Sequence, residues 1–183
     1  MEGSASELSW QQLNGPLGGR ISAQAIHTTG DHFALFDQSV HVSTNGGTTW
    51  QAVFNDALAF LIGRDGLIYI QSDDGLFYSQ NGHSGWNKMP DSGYNIDLDR
   101  MAVLQDGTVL FVDGVNLYVS TDRLVSWHTT NFNFENSAHY IKTSASGDFY
   151  VYGNNKAFKS TNGTEWALIL EAANTIQELF VTS

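Results

Sequence analysis

Cysteine is absent from all 183 residues, so no disulfide and no thiolate metal site can form, and the redox compartment is left open. Proline occurs twice, at Pro16 and Pro90. A chain this poor in proline can pair most of its backbone in sheets, where a missing N–H is tolerated only at edges and bulges. Basic residues are scarce as well: eight Lys and Arg face nineteen Asp and Glu, for a formal net charge of -11. Such a chain repels phosphate backbones, and nucleic acid is not an expected partner. No apolar run approaches the roughly 18 residues of a spanning helix, so membrane insertion is not expected either. The first residues are acidic and polar and lack the apolar stretch of a secretory signal. Helix signals are nearly missing, and the best candidate, 171–178, also reads as a link followed by a strand. The six histidines, His27, His32, His41, His83, His128 and His139, show no ligand spacing. No metal and no cofactor is expected.

What the chain does have is repetition. Ser43-Thr-Asn-Gly-Gly-Thr-Thr-Trp50 is followed by Ser79-Gln-Asn-Gly-His-Ser-Gly-Trp86, Ser120-Thr-Asp-Arg-Leu-Val-Ser-Trp127 and Ser160-Thr-Asn-Gly-Thr-Glu-Trp166. With Trp10 as the end of a worn fifth copy, the tryptophans are 40, 36, 41 and 39 residues apart. A period near 40 is the length of a four-stranded sheet unit that stacks on copies of itself.

Read backwards from each tryptophan, every unit yields the same series of short, alternating or β-branched segments. In the second unit they cover 58–62, 67–71, 76–79 and 86–89, and in the third 100–104, 108–112, 116–120 and 127–130. Gly30, Gly66, Gly107 and Gly147 fall in register between the first two segments, where a hairpin turn needs positive φ. Asn or Asp in the motif bonds its own backbone two residues on, and the following glycine accepts the left-handed conformation. Both prolines lie between units.

The pattern Ser-x-Asp-x-Gly-x-x-Trp resembles the Asp-box, or BNR, repeat of sialidases, sortilin-type receptors, oligoxyloglucan-cleaving hydrolases and photosystem II assembly factors. The resemblance covers essentially the whole chain. Asn45, Asn81 and Asn162 replace the acid, Arg123 and Leu124 replace the glycine region of the third copy, and the fourth copy is one residue short. The resemblance implies an all-β fold, a β-propeller of four-stranded antiparallel blades forming a single domain over 1–183. It places the box between the third and fourth strands of a blade, away from the working face. On that reading Ser43, Asn45, Trp50, Ser79, Asn81, Trp86, Ser120, Asp122, Trp127, Ser160, Asn162 and Trp166 are structural. Counting strands gives a lone outer strand at 10–14, four complete blades, and the inner strand of an incomplete fifth at 176–183. The expectation is therefore a fragment of a longer propeller or a homo-oligomer joined through exposed terminal strands. Family habit places the protein outside the cytoplasm, in an extracellular or periplasmic compartment.

Connections 13–20, 55–57, 90–99 and 130–137 fall on one face, with tighter turns at Asp37, Asp73, Asp113 and Asn154. The two longest carry Tyr94, Phe132 and Phe134 amid acids and amides, with Arg20, Asp97, Asp99 and Arg100 at the ends of such connections. Aromatic rings beside hydrogen-bonding groups suit a sugar ring or a peptide. The leading reading is a non-catalytic recognition scaffold for a glycan or a protein. The alternative is a glycoside hydrolase using Asp56, Asp97 and Asp99, since Asp97 and Asp99 alternate onto one side of an extended segment. A sialidase-like site is not expected, because repeat phase puts Arg64 and Arg123 on the motif side and leaves too few arginines. The acidic balance also argues against a basic docking surface of the photosystem type.

Overall fold

The computed structural model describes residues 20–91, 93–94, 96–134, 140–144 and 146–179. Among these, sixteen strands form four antiparallel sheets of four strands each, taken in chain order. Blade 1 holds β1 (Ile21–Ile26), β2 (His32–Phe36), β3 (Ser39–Ser43) and β4 (Gln51–Phe54). Blade 2 holds β5 (Ala57–Ile62), β6 (Ile68–Ser72), β7 (Gly75–Ser79) and β8 (Asn87–Lys88). Blade 3 holds β9 (Met101–Val103), β10 (Val109–Asp113), β11 (Asn116–Ser120) and β12 (His128–Asn133). Blade 4 holds β13 (Tyr140–Thr143), β14 (Phe149–Gly153), β15 (Lys156–Ser160) and β16 (Ala167–Glu171). The blades stand around a common axis with β5, β9 and β13 on the inside, and the fold is a β-propeller, as the repeat period indicates. A single 3-10 turn, Leu98–Arg100, precedes β9.

The second strand of each blade is deeply buried because both of its faces meet protein, and it is rich in apolar residues, as in Val109–Val112. Three core clusters fill the spaces between consecutive blades. Phe33, Val40, Ile68 and Ile70 join blades 1 and 2, Tyr69, Met101, Val109 and Phe111 join blades 2 and 3, and Leu110, Leu117, Phe149 and Val151 join blades 3 and 4. No such cluster joins blade 4 to blade 1 among the described residues. Polar stitches reinforce the packing near the axis. His27 Nε2 bonds Gly66 O at 2.9 Å, Arg64 N donates to Val103 O at 3.3 Å, and the Arg64 guanidinium donates to Ser144 O. Arg64 of blade 2 thereby grips blades 3 and 4 together.

Trp86, Trp127 and Trp166 each wedge between their own blade and the preceding one. Trp86 packs on Phe54 of β4 and donates its Nε1–H to Val53 O at 3.0 Å. Trp166 lies 5.4 Å from Phe132 of β12 and donates to Gly163 O. Trp127 packs on Phe111 and Tyr94, but its buried Nε1 has no acceptor among the described residues. Its own turn offers no carbonyl as Gly47 and Gly163 do for Trp50 and Trp166, and β8 stops at Lys88 before Pro90. Beyond it, where β4 lends Trp86 a carbonyl, the chain turns aside.

The expected fifth blade is only partly within view. Residues 10–14 and 180–183 lie outside the described residues, and 176–179 pair with no strand among the described residues. Ile176 N donates to Asn154 O and Lys142 Nζ donates to Leu179 O at 3.3 Å, so this tail is held by isolated bonds rather than by a ladder.

Two stability outcomes follow from this packing. Trp86→Phe, which strands Val53 O at a blade interface, costs about 1–2 kcal/mol more in urea unfolding than Trp127→Phe, which removes an N–H with no partner among the described residues. Gly82 sits at φ 69, and a Cβ there would strike Ile68 Cδ1 and the Phe33 ring. Gly82→Ala therefore lowers stability by about 2–4 kcal/mol by the same assay; an unchanged midpoint would refute the close approach.

Candidate functional site

Antiparallel order sorts the connections onto two faces. First-to-second turns and third-to-fourth motif turns emerge on one side, and second-to-third turns and blade-to-blade connections emerge on the other. The motif side is chemically closed. Ser43, Ser79, Ser120 and Ser160 are buried, and each hydroxyl accepts a backbone N–H, from Gly47 at 2.8 Å, Gly82 at 3.1 Å, Leu124 at 2.8 Å and Gly163 at 2.9 Å. Ser43, Ser120 and Ser160 donate in turn to Oδ1 of Asn45, Asp122 and Asn162, while Ser79 donates to Ser84 O. The same Oδ1 atoms accept N–H bonds from two to four residues ahead: Thr49 on Asn45, His83 on Asn81, Ser126 on Asp122 and Glu165 on Asn162. An amide oxygen serves as well as a carboxylate here, which explains why three of the four turns carry Asn. In the third turn Arg123 and Leu124 hold positive φ of 57 and 69. Burial of Leu124 in the core between blades 2 and 3 offsets that strain.

Three aspartates on this side are likewise engaged. Asp31 Oδ2 meets His83 Nε2 at 3.0 Å, Asp148 meets Lys159 at 2.8 Å, and Asp65 accepts the Tyr69 hydroxyl at 2.7 Å. Hydrogen bonding from His83 and then Thr29 holds the Asp31 carboxyl below its usual range. The Lys159 ammonium does the same for Asp148, and Asp148 raises Lys159. Burial, seconded by the bond to Asp65, keeps the Tyr69 phenol protonated far above its ordinary range.

The opposite, loop side is open. Asp37 lies in the β2–β3 turn, Asp73 and Asp74 in the β6–β7 turn, Asp113 in the β10–β11 turn, and Asp56 in the link to β5; all are exposed. Their carboxylates make no hydrogen bond or ion pair with any described residue. Between blades 2 and 3 on this side runs a groove of about 330 Å³. Its floor is apolar, with Met89 6% and Ile96 5% exposed, together with Leu76. Asp73, Asp74 and Asp91 are acids of its lining, Lys88 is its cation, and Tyr94 supplies an aromatic wall. The early end of β8 creates it. Met89 N still bonds Leu76 O at 2.8 Å, after which the connection bends away and returns to bond Leu98 N to Gln71 Oε1 at 3.2 Å.

The structure treats the sequence candidates unequally. Tyr94 is 39% exposed in the groove and packs at a tilt on Tyr118, ring centroids 4.8 Å apart. Asp97 spends Oδ1 on the Asp99 N–H at 3.0 Å as cap of the 3-10 turn, while Asp99 is exposed and Arg100 half-buried at its end. Arg20 is exposed ahead of β1. Phe134, by contrast, is 3% exposed in the core between blades 3 and 4, and Phe132 packs against it at 4.6 Å. Both rings are taken from the loop surface by a connection that folds inward, with Phe134 N bonded to Val115 O. The groove's floor was not visible in the sequence, since Met89 and Ile96 carry no motif. Asp73 and Asp74 showed only as turn residues.

Among the motif residues, Asp122 carries the largest electrostatic signature. The Ser126 hydroxyl, then its backbone N–H, pulls the carboxyl from 3.8 down to about 2. Because the folded value lies below the unfolded one, this contribution is complete above pH ~4 and vanishes as pH falls through ~2. A carbon-detected NMR titration should place the Asp122 midpoint near pH ~2, and Asp122→Asn should flatten the acid limb of the stability curve over that window.

No protein-family model matches the chain, and no curated protein matches its sequence. Solved structures do. The chain is similar to YCF48 bound to D1 peptide, with a TM-score of 0.66 and 15% identity over 87% of this chain and 57% of that one. YCF48 from Cyanidioschyzon merolae matches with a TM-score of 0.60 and 12% identity over 91% of this chain and 61% of that one. An ancestral GH74 enzyme matches with a TM-score of 0.59 and 22% identity over 90% of this chain and 26% of that one. The chain spans less than two thirds of each of these structures, and at these identities the likeness is that of the β-propeller fold.

Proposed function

We propose that this protein is a non-catalytic recognition scaffold that holds a segment of another protein on its loop side, in the groove between blades 2 and 3. One contrast carries the reading. Asp31, Asp65, Asp122 and Asp148 on the motif side are bound into the fold, whereas Asp37, Asp56, Asp73, Asp74 and Asp113 on the loop side have no partner among the described residues, and the groove opens beside Asp73 and Asp74. Free charge on one face contributes nothing to folding and is available for recognition. The turn chemistry supports reading the repeats as Asp-box turns with a structural role. A neighbour solved with a peptide supports the idea that this fold presents a peptide surface.

A protein ligand suits the groove better than a glycan, because its buried floor of Met89 and Ile96 offers no hydrogen bond to a sugar hydroxyl. Tyr94 is the ring of the site, and Asp97, Asp99 and Arg100 flank it along the same connection. The hydrolase alternative loses ground because Asp97 is occupied as a cap. We place the protein in an extracellular or periplasmic compartment.

A random peptide library displayed on phage tests the reading. Selected peptides should lose at least ~10-fold in affinity with Tyr94→Ala and be unaffected by Glu165→Gln on the motif side. Binders indifferent to Tyr94, or glycan-array signals that depend on it, would overturn the proposal.

A further inference from the structure

Resting on the loop-side reading above, we infer that the groove selects a short basic segment, an arginine next to an aliphatic residue, from its partner. The charge in the groove is uneven. Asp73 and Asp74 project from a two-residue hairpin tip, and the backbone is fixed there by the bond from Asp74 N to Ser72 Oγ at 3.2 Å. Neither carboxylate has a partner among the described residues. Asp91 spends one oxygen on Gly93 N at 3.0 Å and keeps the other free. Lys88 is the single cation of the lining, so three carboxylates face one ammonium. The surplus persists along this side, where Asp37, Asp56 and Asp113 also stand exposed.

An acidic segment entering this space would set carboxylate against carboxylate, and it is excluded on that ground. A cationic side chain answers the surplus. Arginine fits better than lysine, because its planar guanidinium can fork across the adjacent Asp73 and Asp74 and lie against the partly exposed Tyr94 ring. The neighbouring aliphatic side chain then covers Leu76, Met89 and Ile96. A volume of about 330 Å³ admits side chains of that size and no folded domain.

Synthetic eight-residue peptides provide the test, with an arginine–leucine–arginine centre compared with glutamine–leucine–glutamine and glutamate–leucine–glutamate versions in calorimetric titrations of the whole protein. The arginine peptide should bind at least ~10-fold tighter than the glutamine one, and its advantage should shrink as salt rises from about 50 to about 500 mM. Asp73→Asn with Asp74→Asn should erase the advantage while leaving the glutamine peptide's affinity unchanged, and Asp106→Asn on the motif side should leave all three unchanged. Equal affinity for the three peptides, or an arginine preference that survives the double variant, overturns the inference. If all three bind equally and lose affinity with Tyr94→Ala, only the charge preference fails; if none binds and a Tyr94-dependent glycan signal is found, the recognition reading fails with it.

Discussion

The buried serine hydroxyl in each motif turn is the interaction on which the rest of the molecule depends. It is donor and acceptor at once, and it satisfies a backbone N–H that the tight turn would otherwise leave orphaned in the interior. Closing that bond fixes where the chain re-enters the sheet, and so where the tryptophan at the head of the fourth strand points. Position the hydroxyl and the indole falls into the cleft beside the preceding blade. Ser79 shows the sequence of dependence: its loop ends at Trp86, whose ring rests on Phe54 and whose N–H reaches Val53 O.

Because this chemistry uses one side of the propeller, it leaves the other side free. Turns on the motif side cannot vary much without breaking a bond that a blade needs, whereas loops on the opposite side answer only to chain closure. The connection after β8 exploits that freedom. By leaving the sheet early it opens the space into which Tyr94 is set, beside the Trp127 ring.

Most of the fold was legible because its signals are local. Positive φ demands glycine at Gly30, Gly66, Gly107 and Gly147, and all four adopt it, at 91, 80, 83 and 95. Strand segments follow from alternation, and the blades from a period. Legibility failed where burial depends on a distant partner. Phe134 reads as a loop aromatic until its ring is found in the core between blades 3 and 4, against Phe158. The groove was hidden for the same reason. Met89 and Ile96 form its floor only because two blades and a short strand bring them together, a relation absent from either residue's neighbourhood in sequence.

The wedges also have a direction. Trp86, Trp127 and Trp166 each insert toward the blade that precedes them in the chain, against residues such as Phe54, Tyr94 and Phe132. On a ribosome, then, every new indole emerges to find its seat already synthesised. The molecule can be laid down like courses of brick, each bedded on the last, with little apolar surface waiting for sequence still to come.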